Sequence, residues 1–285
     1  MAGLAIQYSK EVARELTEIA VVRPGKPVEI GDIIHFPQGK TGTWFFKKAA
    51  PRGSFDVVSS LSELGIDFDL GPEDKSPDPF QFVSRKGVSA EFDANAEGDL
   101  GAGVGAKGNL SVSFSREGAT YFNAVGCTTR SLSDYQQLNL DLNGKRGHIA
   151  WEDTFIVTSV TTAERALIMQ SKSAGGEMRA SVEVDGLPAG SVPEIGADAN
   201  IKVTYEKNAA FVVKWAENVT VFMGLQKFAK QRSAVEISDR ILGVSERPIS
   251  DLRGIAGALV NRESDVYALE PVLASDILDD SDELD

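Results

Sequence analysis

Residues 88–114 read VSAEFDANAEGDLGAGVGAKGNLSVSF, and every even-numbered position in this stretch is apolar or glycine. The odd-numbered positions are polar, charged or glycine. Successive side chains of a β-strand point to opposite faces, so a period of two over 27 residues predicts strand. A single strand usually has about 3–10 residues. The stretch therefore predicts two strands joined by a turn near the glycines at 101–105.

The same alternation returns in residues 173–184 and 195–205, on either side of a segment with several glycines and prolines. The chain thus contains two predicted hairpins of the same kind. Two interpretations of them stay open. Strands of a membrane barrel need about 9–11 residues each and alternate lipid-facing with lumen-facing side chains. Antiparallel strands of a protein in water alternate in the same way, with the apolar side chains inward.

Several other segments carry patterns of regular structure. Leu4, Tyr8 and Val12 fall on one face of a predicted helix over residues 4–20. A helical turn is predicted at 133–138. Strands are predicted at 28–36, 155–162, 211–215 and 219–222.

Residues 229–285 differ in composition from the chain before them. Their net charge is −7, from 6 basic and 13 acidic residues, against −6 for residues 1–228. Apolar residues recur there at helical spacing, first at Ile249, Leu252, Ile255 and Leu259, then at Val266, Leu269 and Leu273. The pattern predicts a body over 1–228 and an acidic helical tail over 229–285. The tail is either an appended element that packs on the body or a solvated helix pair that completes the fold.

Composition excludes several classes of protein. A net charge of −13 and a pI near 4.7 argue against general affinity for nucleic acid. No run of 18 apolar residues is present, so no transmembrane helix is expected. The one cysteine, Cys127, allows no internal disulfide, and charged residues at 10–15 argue against a signal peptide. We expect a cytoplasmic protein.

Residues suited to catalysis or metal binding are sparse. The two histidines, His35 and His148, and one cysteine cannot form a zinc cluster of usual spacing. The glycine-rich segment 101–108 lacks the Gly-Lys-Ser/Thr order of a phosphate-binding loop. We expect no enzyme, no metal and no cofactor.

A basic and aromatic segment lies between the first two predicted strands. Residues 33–55 contain no acid, and Trp44-Phe45-Phe46-Lys47-Lys48 lies within them together with Lys40 and Arg52. Aromatic rings favour the membrane interface, and lysines attract acidic headgroups. An ordinary hairpin tip with inward-packed rings is the other interpretation.

The order of these parts resembles the gasdermin pore-forming proteins, especially their short bacterial and fungal members. The resemblance is carried by Gly31-Asp32-Ile33-Ile34, by residues 44–48, by the two hairpins and by residues 192–226. It covers about residues 4–228. It implies an α+β fold, with a twisted antiparallel sheet and surrounding helices in residues 1–228 and a short helical tail.

The resemblance also implies roles for particular residues. The loop would bind acidic membrane lipids through Trp44, Phe45, Phe46, Lys47, Lys48, Lys40 and Arg52. The lipid face of the first hairpin would contain Val88, Ala90, Phe92, Leu100, Val104, Leu110 and Val112. That of the second would contain Met178, Val182, Val184, Ile195, Ile201 and Val203. The tail would inhibit through Ile249, Leu252, Ile255 and Leu259 until a protease releases it. Many copies would then form a membrane ring that causes lytic cell death.

Two departures from the family pattern limit these expectations. Residues 1–20 contain no cysteine that a lipid could modify, so self-lipidation is not expected. The first helix carries two basic and three acidic residues, whereas it is basic in many members. The other interpretation of the whole chain is a soluble β-rich binding or structural module without membrane activity.

Overall fold

The computed structural model describes residues 2–21, 28–36, 55–84, 86–94, 106–149, 151, 154–184, 200–230 and 267–272. Two helices lie in these ranges, α1 (Ala2–Leu16) and α2 (Tyr135–Lys145). The strands of the first half are β1 (Asp32–His35), β2 (Asp56–Ser60), β3 (Asp74–Lys75), β4 (Phe80–Val83), β5 (Val88–Ala94), β6 (Ala106–Phe114) and β7 (Thr120–Ser131). Those of the second half are β8 (Thr154–Ser171), β9 (Gly176–Val184), β10 (Asn200–Lys207), β11 (Ala209–Lys230) and β12 (Tyr267–Val272).

A large antiparallel sheet is built around β8. One side of β8 pairs with β11, and the other side pairs with β1 at its start and with β7 along the rest. The short strands β3 and β4 pair with β7, while β2 pairs with β1 and β12 pairs with β11. We call these eight strands the large sheet. The α+β class with antiparallel strands, which we expected from the sequence, is confirmed.

The small sheet contains four strands in the order β10-β9-β6-β5. Its outer pairs are the two predicted hairpins, with Val88 opposite Phe114 in the first and Ile201 opposite Val182 in the second. The two hairpins join each other because β6 pairs with β9 over nine residues, from Ala106↔Val184 to Phe114↔Gly176. The hairpin prediction is confirmed in these ranges, while the turn near 101–105 lies outside the described residues.

The apolar face of the small sheet lies over one face of the large sheet. The two faces form one cluster, which we call the inter-sheet core. From the small sheet it contains Leu110, Val112, Phe114, Met178, Ala180, Val182 and Ile201, and from the large sheet Ala119, Tyr121, Val125, Leu167 and Met169. The even-numbered positions of β6 and β9 and the odd-numbered Ile201 of β10 are therefore buried, so each strand buries one face, as alternation predicts.

Helix α1 packs on the opposite face of the large sheet. Its apolar residues Tyr8 and Val12 are fully buried against Phe122, Ile168 and Phe222. The described part of the chain thus has three layers: small sheet, large sheet and α1.

The predicted helix over 4–20 ends earlier than expected. The α-helix stops at Leu16, and Thr17 adopts a left-handed φ of 59°. Beyond it, Ala20 forms a bridge with Phe222, and the N–H of Val21 donates to the Val221 carbonyl at 3.0 Å. Residues 19–21 are extended because their backbone groups bond to β11.

Four strand predictions were right in place but wrong in length. The strand expected at 155–162 continues to Ser171, and those expected at 211–215 and 219–222 are one strand, β11. Register shifts in β11 let it stay paired with β8 despite its 22 residues. The strand expected at 28–36 is limited to β1 because a turn at Gly31, with φ of 93°, precedes it.

The tail prediction is wrong where the structure describes it. The set Val266, Leu269 and Leu273 predicted helix, but Tyr267–Val272 is the strand β12. It forms because Leu269 and its neighbours pair with residues 225–230 of β11, a long-range contact that helical spacing cannot reveal. The helix expected from Ile249 to Leu259 lies outside the described residues. The division at residue 228 stays a prediction.

Candidate functional site

Each strand of the small sheet continues from a strand of the large sheet through a left-handed residue. These four hinge residues are Gly87 between β4 and β5, Gly118 between β6 and β7, Gly175 between β8 and β9, and Asn208 between β10 and β11. Their φ angles are 96°, 73°, 77° and 54°. Glycine and asparagine are the residues that adopt such angles most readily. The chain therefore bends at the same level in all four strands.

Strand order is the same on both sides of the hinge residues. The large sheet runs β4-β7-β8-β11 and the small sheet runs β5-β6-β9-β10. Each neighbouring pair in one sheet is thus continued by the neighbouring pair in the other. Straightening the four hinges would convert the two stacked sheets into one long four-stranded sheet with its antiparallel pairing kept.

Backbone hydrogen bonds join the hinge segments to one another. Ser115 donates to the Gly87 carbonyl at 2.8 Å, and Gly118 donates to Ser171 at 3.0 Å. Gly175 donates to Phe114 at 2.8 Å. The bends are therefore ordered parts of the sheet ladder.

A buried charge cluster attaches α1 to the hinge of the first hairpin. The side chain of Glu11 is fully buried and accepts hydrogen bonds from Arg116 at 2.7 Å and from Arg14 at 2.5 Å. Arg116 follows β6 and also donates from Nε to the Lys86 carbonyl at 2.7 Å, beside Gly87. A buried carboxylate is tolerated only when it is paired in this way.

Two amide side chains add to this attachment. Gln170 of β8 donates from Nε2 to the Leu4 carbonyl of α1 at 2.9 Å. Gln7 of α1 donates to the Glu117 carbonyl at 3.3 Å. We call the contacts of Gln7 and Glu11 with the hinge segments, together with the contact of Gln170 with α1, the α1 clasp.

Sequence reasoning missed the clasp. The sequence analysis did not single out Glu11, which lies three residues after Tyr8 and so borders the apolar face of the helix. That spacing is the one signal that could have singled it out.

The structure gathers the described lipid-face candidates on one surface, and that surface is covered. Leu110, Val112, Met178, Val182 and Ile201 are buried in the inter-sheet core, and Val88, Ala90, Phe92 and Val203 pack against it. For Val184 the structure describes the backbone, in β9. Leu100, Val104 and Ile195 lie outside the described residues. In this conformation the face contacts protein.

The opposite face of the small sheet is polar and concave. A groove of about 580 Å³ lies along it, lined by residues that include Glu91, Asp93, Arg179 and Thr204. The Arg179 guanidinium lies 5.4 Å from the centre of the Tyr205 ring, a cation–π contact. This exposed face holds the odd-numbered positions of β5, β6 and β9 and, in β10, Thr204.

The candidate lipid-binding residues cannot be located. Trp44, Phe45, Phe46, Lys47, Lys48, Lys40 and Arg52 all lie in segment 37–54, outside the described residues. Its flanking strands are placed, because His35 pairs with Asp56 and with Thr154 at the start of β8. The hinges lie at the other end of β8, beyond Ser171, which is about 55 Å away for a strand of 18 residues.

The tail strand β12 closes one edge of the large sheet. One of its edges pairs with β11, and α2 bonds to the other: Asn139 Oδ1 accepts from the Leu269 N–H at 2.8 Å, and Asn143 donates to the Tyr267 carbonyl at 3.0 Å. The backbone of Pro271 faces away from β11, as those of Tyr267 and Leu269 do. Because the missing N–H of Pro271 would point outward, no bond to β11 is lost. The Tyr267 ring packs on Phe228 with centroids 5.4 Å apart. Ile249, Leu252, Ile255 and Leu259 lie outside the described residues.

Neither helix in the described ranges is long and apolar enough to cross a bilayer. Burial raises the pKa of the Cys127 thiol to about 12, which keeps it protonated at neutral pH. A protonated, buried thiol is not a nucleophile.

Comparison with known proteins finds a weak likeness to a solved structure. No family model matches the chain, and no curated protein matches it. Among solved structures, the chain is similar to one in the cryo-EM structure of the gasdermin A3 membrane pore, with 11% identity and a TM-score of 0.31. The match covers 92% of this chain and 98% of that one.

Proposed function

We propose that the protein is a membrane pore-forming protein of the gasdermin type. In this proposal the small sheet swings away from the large sheet at the four hinge residues and enters a bilayer as two hairpins. The observation that carries it is the matched strand order on the two sides of the hinges. Because of that order, opening changes four backbone bends and breaks no strand pairing within the small sheet.

Strand length and side-chain chemistry support insertion. β6 and β9 have nine residues each, which at about 3.3 Å per residue span about 30 Å. The apolar band of a membrane barrel is about 25 Å tall. Once the sheet opens, the apolar side of the inter-sheet core would meet lipid, and the face with Glu91 and Asp93 would meet water.

The energetics require a lipid partner. Opening in water exposes side chains such as Leu110, Val112 and Met178, which are at most 2% exposed in the closed form. Apolar burial stabilises the closed form by about 25 cal/mol per Å². A bilayer replaces the lost contacts, so it shifts the population toward the open form.

We further propose that residues 40–52 make the first contact with acidic lipid. Trp44 to Phe46 would lie at the interface, and each nearby lysine or arginine would add about 1 kcal/mol at an acidic surface. Support comes from the sequence pattern of this loop.

In this proposal the tail is the inhibitor. β12 covers residues 225–230 of β11, and Pro271 and α2 close its outer edge. A protease that cuts within 231–266 would free β12. The uncovered β11 edge would then accept a strand from a neighbouring copy, so that copies assemble into a ring. The inactive protein would lie in the cytoplasm, and the ring would lyse the cell.

A second function is favoured by one observation. The apolar faces of both hairpins are buried against protein, as in a soluble β-rich binding or structural module. In that case the small sheet is a permanent layer of the fold, and its polar groove faces a partner.

Dye release from liposomes separates these two functions. A specific protease site is inserted within 231–266 of the full chain, and leakage is measured before and after cutting, with acidic and with neutral lipid. Leakage from acidic liposomes after cutting supports the proposal. Leakage before cutting as well removes the inhibitory role of the tail. No leakage from folded protein in any condition refutes pore formation.

The lipid-binding loop has its own test. Lys47→Glu with Lys48→Glu should abolish co-sedimentation with acidic liposomes. Lys145→Glu with Arg146→Glu, at the end of α2, makes the same change of charge elsewhere. Equal effects of the two double variants would show that overall charge, and not this loop, governs attachment.

A further inference from the structure

Polar side chains lie in the middle of the inter-sheet core. Tyr121 and Asn123, both on β7, are 0% exposed. They share one face of the strand with Val125, and Asn123 lies opposite Leu167 of β8; both of these neighbours belong to the inter-sheet core. The two polar residues therefore lie under the small sheet.

These groups have no hydrogen-bond partner in the described part of the chain. This holds for the Tyr121 hydroxyl and for both amide atoms of Asn123, Oδ1 and Nδ2. Two buried hydroxyls close to the hinges are bonded, whereas Gln170 Oε1 beside them is not: the Ser171 hydroxyl donates to the Arg116 carbonyl at 2.6 Å, and Thr120 Oγ1 donates to the Gly118 carbonyl at 3.2 Å. Burial raises the pKa of the Tyr121 hydroxyl because its surroundings are apolar.

An unpaired buried polar group favours any state in which water reaches it. Each such group lowers the ratio of closed to open molecules by about fivefold or more. Separation of the two sheets would hydrate both Tyr121 and Asn123, because both share the face of β7 that the small sheet covers.

We propose that Tyr121 and Asn123 set the opening equilibrium of the small sheet. The closed form is weakened at its centre, so the four strands separate from the large sheet as one unit, at the four hinge residues and more often than the chain unfolds. The β6–β9 ladder keeps the unit together, because it joins the hairpins over nine residue pairs. This opening of the small sheet does not depend on whether the protein enters a membrane.

Native-state hydrogen exchange on the full chain tests the proposal without lipid. Backbone amides of β5, β6, β9 and β10 should exchange through an opening that leaves β8 and β11 protected. Tyr121→Phe removes one oxygen and adds no atom, so it should slow exchange in the small sheet on the order of tenfold and raise Tm. Asn123→Leu, of similar shape, should act in the same direction.

Matched controls make the same chemical changes on the outer face of the small sheet. Tyr205→Phe and Asn109→Leu alter residues that are exposed there, and neither should change the exchange rate of the small sheet.

Three results would overturn the proposal. The first is exchange of the small sheet only at the rate of global unfolding. The second is unchanged or faster exchange in Tyr121→Phe, which would mean that an ordered water satisfies the hydroxyl. The third is an equal effect of Tyr205→Phe. If Asn123→Leu fails to fold, the exchange rate of the small sheet in Tyr121→Phe decides whether the proposal stands.

Discussion

Removal of the Arg116 guanidinium should lower the free energy of unfolding, because the buried carboxylate of Glu11 would lose one of its partners. Arg116→Met keeps the aliphatic part of the side chain and removes the 2.7 Å bond to Glu11 Oε1. Breaking a buried ion pair costs about 3–5 kcal/mol. The cost is smaller here, because Arg116 is 32% exposed and Arg14 still bonds the other oxygen. We expect a loss of about 2 kcal/mol in the free energy of unfolding, measured by urea denaturation.

A double-mutant cycle isolates the interaction. Glu11→Gln removes the buried charge, so Arg116→Met should cost at least about 1 kcal/mol less in that background. The control is Arg165→Met, which breaks an ion pair of similar length, 2.8 Å to Glu217, where the carboxylate side chain is 62% exposed. That variant should lose about 0–1 kcal/mol. Equal losses for the two arginine variants, or no coupling in the cycle, would refute the argument that burial of Glu11 makes the α1 clasp stabilising.

Three further outcomes follow from the described contacts. Gly87→Ala should lower the free energy of unfolding by about 1–2 kcal/mol, because φ is 96° and the new Cβ would lie 2.6 Å from a carbon of Arg116. Gly144→Ala, whose new Cβ would have no atom within 4 Å, should raise it by up to about 1 kcal/mol. Urea denaturation that finds the reverse order of stability would contradict this expectation. Cys127 has its pKa raised from 9.0 to about 12, so the unfolded state loses the proton first, and stability falls by about 1.4 kcal/mol per pH unit above pH 9. The Tm of Cys127→Ala should therefore fall less steeply between pH 9 and 10 than the Tm of the unchanged protein. An unchanged slope would exclude the thiol as the cause of the pH dependence. Asn139→Ala removes the acceptor of the Leu269 N–H at 2.8 Å, so amides 267–272 should exchange on the order of tenfold faster; unchanged exchange would mean that α2 does not hold β12.

The hairpins could be predicted from sequence because their signal is local. Alternation in residues 88–114 depends only on neighbouring positions, and one buried face is enough to produce it. The hinges could not be found in this way. Gly87, Gly118 and Gly175 are three of 27 glycines, and only the paired strands around them reveal that they lie at one level.

Long-range contacts explain the other differences. β12 is a strand because β11 offers a free edge, whereas the spacing of Val266, Leu269 and Leu273 is also compatible with a helix. The polar residues of the inter-sheet core did leave a local trace: in Tyr121-Phe-Asn123-Ala-Val125, an asparagine occupies a position that alternation assigns to the buried face. Such a mismatch between pattern and residue type can mark a position that matters for conformational change.

The ladder between β6 and β9 also constrains how this sequence can change over time. Three pairs on its buried face combine a large residue with a small one, whereas Val112 faces Met178: Gly108 faces Val182, Leu110 faces Ala180, and Phe114 faces Gly176. Close packing ties the volume at one position to the volume at its partner. A larger residue at 180 therefore requires a smaller one at 110. Related sequences should therefore show compensating substitutions in these two distant segments. The summed side-chain volume of each pair should vary less than the volume of either residue.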